Sequence, residues 1–278
     1  MGAGGTEPSS RVIPSQQQDH VLTVLAAGLL AATLAAICHE TVGHGLGCIA
    51  AGGDIQLLTS IWFRCHGATS LTDAGGAISG LVFGGLVLAM PIRRLSNSAI
   101  KLMLFMFGAI SLLWVAAQLI AHPALDRDDW HFIAMRRHWP WVWRPLLATL
   151  GVLSYVAIVR WIALLFRDPA APSARAIYLA YVASAISAML AGWMWAPLPA
   201  RSALEGLLTL GVAPVGLLFA AARIDTDHSG GAPIAKSWLF VVISLLVFVA
   251  FALVQGRGLG PLADCSGNGS APTERCLL

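Results

Sequence analysis

The chain has 278 residues, of which 57% are hydrophobic and 11% charged, with a net charge of +3 and a mean hydropathy of +0.75. Soluble domains carry about 25% charged residues, so the composition excludes a water-soluble core and defines an integral protein of the lipid bilayer. No run of lysine and arginine marks a nucleic-acid surface or a polybasic lipid switch.

Residues 1–20 are polar, rich in Gly, Ser and Gln, and are expected to be disordered. Beyond them, a bilayer span needs about 20 apolar residues, and that measure predicts seven helices: Val21 to Ala51, Gly75 to Pro91, Leu102 to Ala121, Pro145 to Phe166, Ala176 to Leu198, Leu207 to Ala222 and Ser237 to Gln255. The first apolar run continues through "LAAICHETVGHGLGCIAA" without a signal-peptide exit, which predicts a retained span. Between the first two spans, "GGDIQLLTSIWFRCHGATSLTDAGG" is too polar to cross and rich in β-branched and aromatic residues, so a small hairpin at the membrane edge is expected there. The fold class is therefore all-α and polytopic, with about six to seven transmembrane helices and one β-prone interfacial loop. Residues 21–135 read as a motif-bearing core, 136–256 as additional helices and 257–278 as a polar tail, whose Cys265 and Cys276 are candidates for a disulfide. Lysine and arginine divide eight against eight between the two faces, so the positive-inside rule leaves the orientation open.

The chemistry concentrates in "CHETVGHGLGC", Cys38 to Cys48. Ionisable side chains are expensive in lipid, so two histidines and a glutamate within six residues of a span imply a function. Imidazoles hold Zn²⁺, and a neighbouring carboxylate suits the task of taking a proton from the attacking water. The usual H-E-x-x-H spacing places both imidazoles on one helical face. Here His39 and His44 are five apart, which separates them by about 140° on a regular α-helix. If they share an ion, the helix between them carries an extra residue, as in a π-bulge. Without a bulge, Glu40, His44 and Cys48 form the stripe at i, i+4 and i+8. A purely structural reading makes Gly43 and Gly47 a small-residue packing face.

At these residues the chain resembles the membrane-embedded zinc metalloproteases of the site-2 protease class, the M50 peptidases. "HETVGHGLGCIAAGGD" looks like their zinc-binding H-E-x-x-H with one residue inserted ahead of His44, a lengthening also familiar from the dipeptidyl peptidase III family. "DAGGAISGLVFGG", Asp73 to Gly85, is similar to the small-residue motif on the next core helix, though it lacks the proline and asparagine. "HPALDRDDWHF", His122 to Phe132, falls where that family carries an aspartate as third ligand. Arg127 and Asp128 replace the family's glycines, which leaves Asp126 and Asp129 as rivals; Trp130 would seat the segment at the interface and favours Asp129. "APLPARSALEG", Ala196 to Gly206, is a weaker echo that offers Glu205.

The resemblance implies a Zn²⁺-dependent endopeptidase with Glu40 as general base, His39 and His44 as ligands, and a membrane protein or peptide as substrate. The expected location is the cytoplasmic (inner) membrane of a bacterium. Two other classes remain: a metal- or haem-binding membrane protein or transporter, and a membrane di-iron oxygenase, against which the absence of further histidine boxes counts. The sequence points to no nucleic-acid partner and leaves the oligomeric state open.

Overall fold

The computed structural model describes residues 18–91, 94–126, 128–168, 171–223 and 233–262. Cys265 and Cys276, with their proposed disulfide, lie outside them, as does most of the polar amino terminus.

Seven helices among the described residues are long and apolar enough to cross a membrane: Val21–Ala50, Ser70–Ala89, Ser98–Leu125, Trp143–Leu165, Ala174–Trp193, Pro199–Ala221 and Trp238–Gly256. The expected all-α polytopic architecture is what the chain adopts. Span one is built from α1 (Val21–Ala36), a π-helical segment (Ile37–Gly45) and α2 (Leu46–Ala50). An antiparallel hairpin of β1 (Asp54–Leu58) and β2 (Phe63–His66) follows, as the sequence predicted. Then come α3 (Ser70–Ala89), α4 (Ser98–Leu125), the short α5 (Asp128–Arg136), α6 (Trp143–Leu165) and α7 (Ala174–Trp193). The sixth span joins α8 (Pro199–Leu207) to α9 (Gly216–Ala221) through a π and a 3₁₀ turn, and the seventh is α10 (Trp238–Phe251) with a π-helical end, Ala252–Gly256.

The second and sixth spans show the largest shift to an earlier start than hydropathy suggested, for local reasons. The α3 helix starts at Ser70 because the Thr72 hydroxyl accepts the Thr69 N–H at 3.2 Å, and because Asp73 is paired with Arg136 at 2.7 Å. The sixth span starts at Pro199, a residue whose fixed φ suits the first helical turn. Four other spans open on side-chain caps: His20 accepts from the Thr23 N–H, Asn97 from the Ala99 and Ile100 N–H groups, Ser173 from Ala176 and Ser237 from Phe240, whereas α6 has no such cap. Each cap is worth roughly 1 kcal/mol.

Helices in lipid associate through close packing of small residues, and α1 meets α7 in this way. A Cβ on Gly28 would lie 2.0 Å from the Ala180 carbonyl oxygen, so only glycine permits the approach. The Ser184 hydroxyl then donates to the Gly28 carbonyl at 2.8 Å. On its other side α1 packs against α4, whose Leu102, Met106, Ile110 and Leu113 are fully buried. The hairpin is tied down twice. A disulfide joins Cys48 at the end of α2 to Cys65 in β2, and the segment after α10 pairs with β1, with Leu58 and Leu259 exchanging N–H···O bonds of 2.9 Å.

Candidate metal centre

The π-helical segment is the local feature on which the site depends. Residues 37–45 wind with wider turns than an α-helix, and this brings the Nε2 atoms of His39 and His44 to 3.3 Å. The α-helical separation of about 140° has been removed by the extra residue. The alternative stripe of Glu40, His44 and Cys48 is unavailable as a ligand set, because the Cys48 sulfur is bonded to Cys65.

Gly75 and Gly76 of α3 make room for the widened turn. A Cβ on Gly75 would meet the Gly43 carbonyl oxygen at 2.2 Å, so the two backbones touch there. Gly47 likewise lies against Leu71 and Thr72. The small residues thus do the packing that a purely structural reading assigned to them, and the histidines converge in addition.

Asp129 completes the group. Its carboxylate lies 3.5 Å from the Nε2 of His39 and 3.3 Å from that of His44. His39, His44 and Asp129 are the group of metal-ligating side chains that converges among the described residues. Asp126 is drawn elsewhere: it ends α4 in a left-handed conformation (φ 52°), and its carboxylate meets the Arg144 guanidinium at 3.0 Å and His131 at 3.4 Å. Asp128, also left-handed (φ 67°), turns the chain back so that α5 runs under the site. Aspartate tolerates this region better than most residues. The Arg136–Asp73 pair and a 3.0 Å bond from Arg137 to the Ser70 hydroxyl hold α5 against α3. Glu205 is buried in α8 and is not one of the convergent group.

The site is largely buried: His39, Glu40 and His44 are 3%, 4% and 5% exposed, and the Asp129 side chain 14%. The His44 Nδ1 is 2.8 Å from the Thr72 carbonyl oxygen, the contact by which metal-binding histidines are usually oriented. The His39 ring is held instead by stacking on Trp114 of α4, with centroids 4.1 Å apart, while its Nδ1 is buried without a hydrogen-bond partner. Phe63 of β2 stacks on His44 at 5.4 Å, so the hairpin covers the site. Burial alone would push the Asp129 carboxyl up, but the two imidazoles outweigh it and hold that carboxyl well below the usual carboxylate range.

Two observations test whether a metal ion fits. Ligands about 2.0–2.1 Å from a tetrahedral ion are about 3.3–3.4 Å from one another; the two imidazole nitrogens are 3.3 Å apart, and the Asp129 carboxylate faces His39 with one oxygen at 3.5 Å and His44 with the other at 3.3 Å. A Cβ on Gly76 would lie 2.4 Å from both Nε2 atoms, which marks a space between the rings that this glycine keeps open. Two imidazoles and a carboxylate therefore form a site that could hold a metal ion.

Gln118 of α4 is the residue that sequence reasoning missed. Its Nε2 lies 3.3 Å from the His39 Nε2 and donates to the Asp129 carboxylate at 3.2 Å. The sequence held one signal for it, an amide near the end of a largely apolar span. No family of known proteins, curated relative or solved structure matches this chain, so the geometry of the site carries the functional assignment.

Proposed function

We propose that the protein is a membrane-embedded zinc metalloprotease that hydrolyses peptide bonds of membrane-associated substrates. The observation that carries this reading is the π-helical turn that brings His39 and His44 to Asp129 while keeping Glu40 between the two histidines. His39, His44 and Asp129 would be the ligands. When bound, a Zn²⁺ ion supplies Lewis acidity for the scissile carbonyl and acidifies the attacking water. Glu40, buried and within electrostatic reach of His44, would take the proton from that water and return it to the leaving amine. The His44–Thr72 bond and the His39–Trp114 stack fix both rings and favour a single ligand geometry.

The hairpin supplies a reason for a peptide as substrate. An extended segment can add to a sheet edge, and β2 carries Phe63 directly over His44. Because Leu259 and Leu262 already pair with β1 at Leu58 and Gln56, a substrate strand would use the edge of β2. The Cys48–Cys65 disulfide beside the site also bears on orientation. Disulfides persist in oxidising compartments, so the site would open to the oxidising side, with substrates cut at their exported face.

One experiment tests these roles together. Wild-type chain, co-expressed with a single-span membrane protein whose exported flank carries the cleavable stretch, yields a shortened product. Glu40→Gln retains the metal and lowers cleavage by about 10²–10⁴-fold, the usual worth of a general base. Full activity in Glu40→Gln sinks the role of Glu40, and cleavage confined to the opposite flank sinks the orientation.

A further inference from the structure

We propose that Gln118 is a fourth ligand, closing the His39, His44 and Asp129 site in its resting form so that water must displace it before hydrolysis. This rests on the metal-site reading above and adds a gate to it.

Gln118, in the last third of α4, is 6% exposed, and its Oε1 is buried without a hydrogen-bond partner. A buried amide oxygen left unpaired costs about 1–3 kcal/mol, so a span keeps such a residue only where the amide has a task. Its amide end is aimed at the site, 3.3 Å from the His39 Nε2 and 3.2 Å from an Asp129 carboxylate oxygen. The same carboxylate oxygen is 3.5 Å from the His39 Nε2, which is itself 3.3 Å from that of His44. These separations approximate the edges of a ligand tetrahedron, about 3.3–3.4 Å for bonds of about 2.0–2.1 Å. Gln118 borders the edge of the group formed by His39 and Asp129, close enough to offer a fourth donor there.

The carboxamide suits this corner because its two ends are exchanged by a half-turn about the last side-chain bond. With nitrogen inward, it donates to the carboxylate beside it. With Oε1 inward, it offers a cation a neutral oxygen, and the amide nitrogen takes the outer position. Catalytic zinc sites keep three protein ligands and one exchangeable position, whereas structural ones are closed by four. A weakly held amide oxygen lies between these cases: it closes the site against adventitious water, and water can replace it when a substrate is seated.

Titration of the full-length, detergent-solubilised chain with Co²⁺ tests the proposal without measuring activity. Wild type should show an intense four-coordinate visible spectrum that does not change between about pH 6.5 and 8.5, because no metal-associated water titrates near 7. In Gln118→Ala a water enters; the spectrum should acquire a transition near pH 7, and Co²⁺ affinity by chelator competition should fall about ten- to a hundredfold. Gln118→Met, closer in volume, reports the same change if the alanine variant does not fold. Gln118→Glu keeps an oxygen at the corner and should retain the pH-independent spectrum with tighter binding. The proposal is overturned if removing the amide leaves both affinity and pH behaviour as in wild type, or if the wild-type spectrum already titrates. Failure of the metal site itself looks different: Co²⁺ binding is then absent, or unchanged in His44→Ala, and the fourth-ligand proposal falls with it.

Discussion

The third and fourth spans are similarly apolar, yet their fates differ. In α4, 78% of the most apolar stretch is buried inside the protein, against 11% in α6. Hydropathy cannot distinguish them, because lipid is as apolar as a protein interior and gives helices no hydrophobic reason to prefer one over the other. What differs is what each helix meets. The α4 helix lies between α1, α3 and α6, and lends Trp114 and Gln118 to the candidate metal site. The α6 helix touches α4 mainly along one stripe and turns Leu146, Leu150 and Leu153 outward.

The largest expected effect lies where α4 touches the site. Trp114→Ala removes a side chain only 5% exposed and the surface on which His39 stacks. A loss of about 3–5 kcal/mol is expected in reversible denaturation of the detergent-solubilised protein, together with weaker metal binding in chelator competition. An unchanged metal affinity would mean that α4 merely packs there.

A matched leucine pair sharpens the contrast. Leu113 on α4 is fully buried and Leu153 on α6 is 64% exposed. Leu113→Ala should cost about 2–5 kcal/mol, and Leu153→Ala within about 0.5 kcal/mol of nothing. Equal costs in the same unfolding assay would show that α6 is covered, for instance by a second copy of the chain.

The smallest effect concerns the seam between the two helices. A Cβ on Gly151 of α6 would lie 2.9 Å from the Leu119 Cβ and 3.0 Å from the Ala116 carbonyl oxygen of α4. Gly151→Ala should force α6 outward at a cost of about 1–3 kcal/mol, with the Co²⁺ spectrum unchanged. A shifted spectrum would show that the seam transmits to Gln118.

Much of the centre was legible in the chain itself. His39, Glu40 and His44 announce themselves as costly groups in a span, and their five-residue spacing demanded an irregular helix, which residues 37–45 provide. The choice between Asp129 and Asp126 was not legible, since both follow the third span within three residues of each other. It depends on the left-handed turn at Asp126 and Asp128 and on Arg144, which draws Asp126 away. The pairing of Cys48 with Cys65 was likewise hidden, because it follows from how the hairpin folds back onto α2.

By itself, then, the sequence determined the bilayer as solvent, the seven crossings, the hairpin and the two histidines with their glutamate, all of which follow from local composition and spacing along one segment. Only the tertiary structure decided which aspartate joins the two histidines, the nearness of Gln118, the disulfide and which spans are central. Those depend on contacts between segments distant in the chain, where glycines such as Gly28, Gly75 and Gly76 set how closely two backbones approach, and an apolar sequence in an apolar solvent carries no mark of its neighbours.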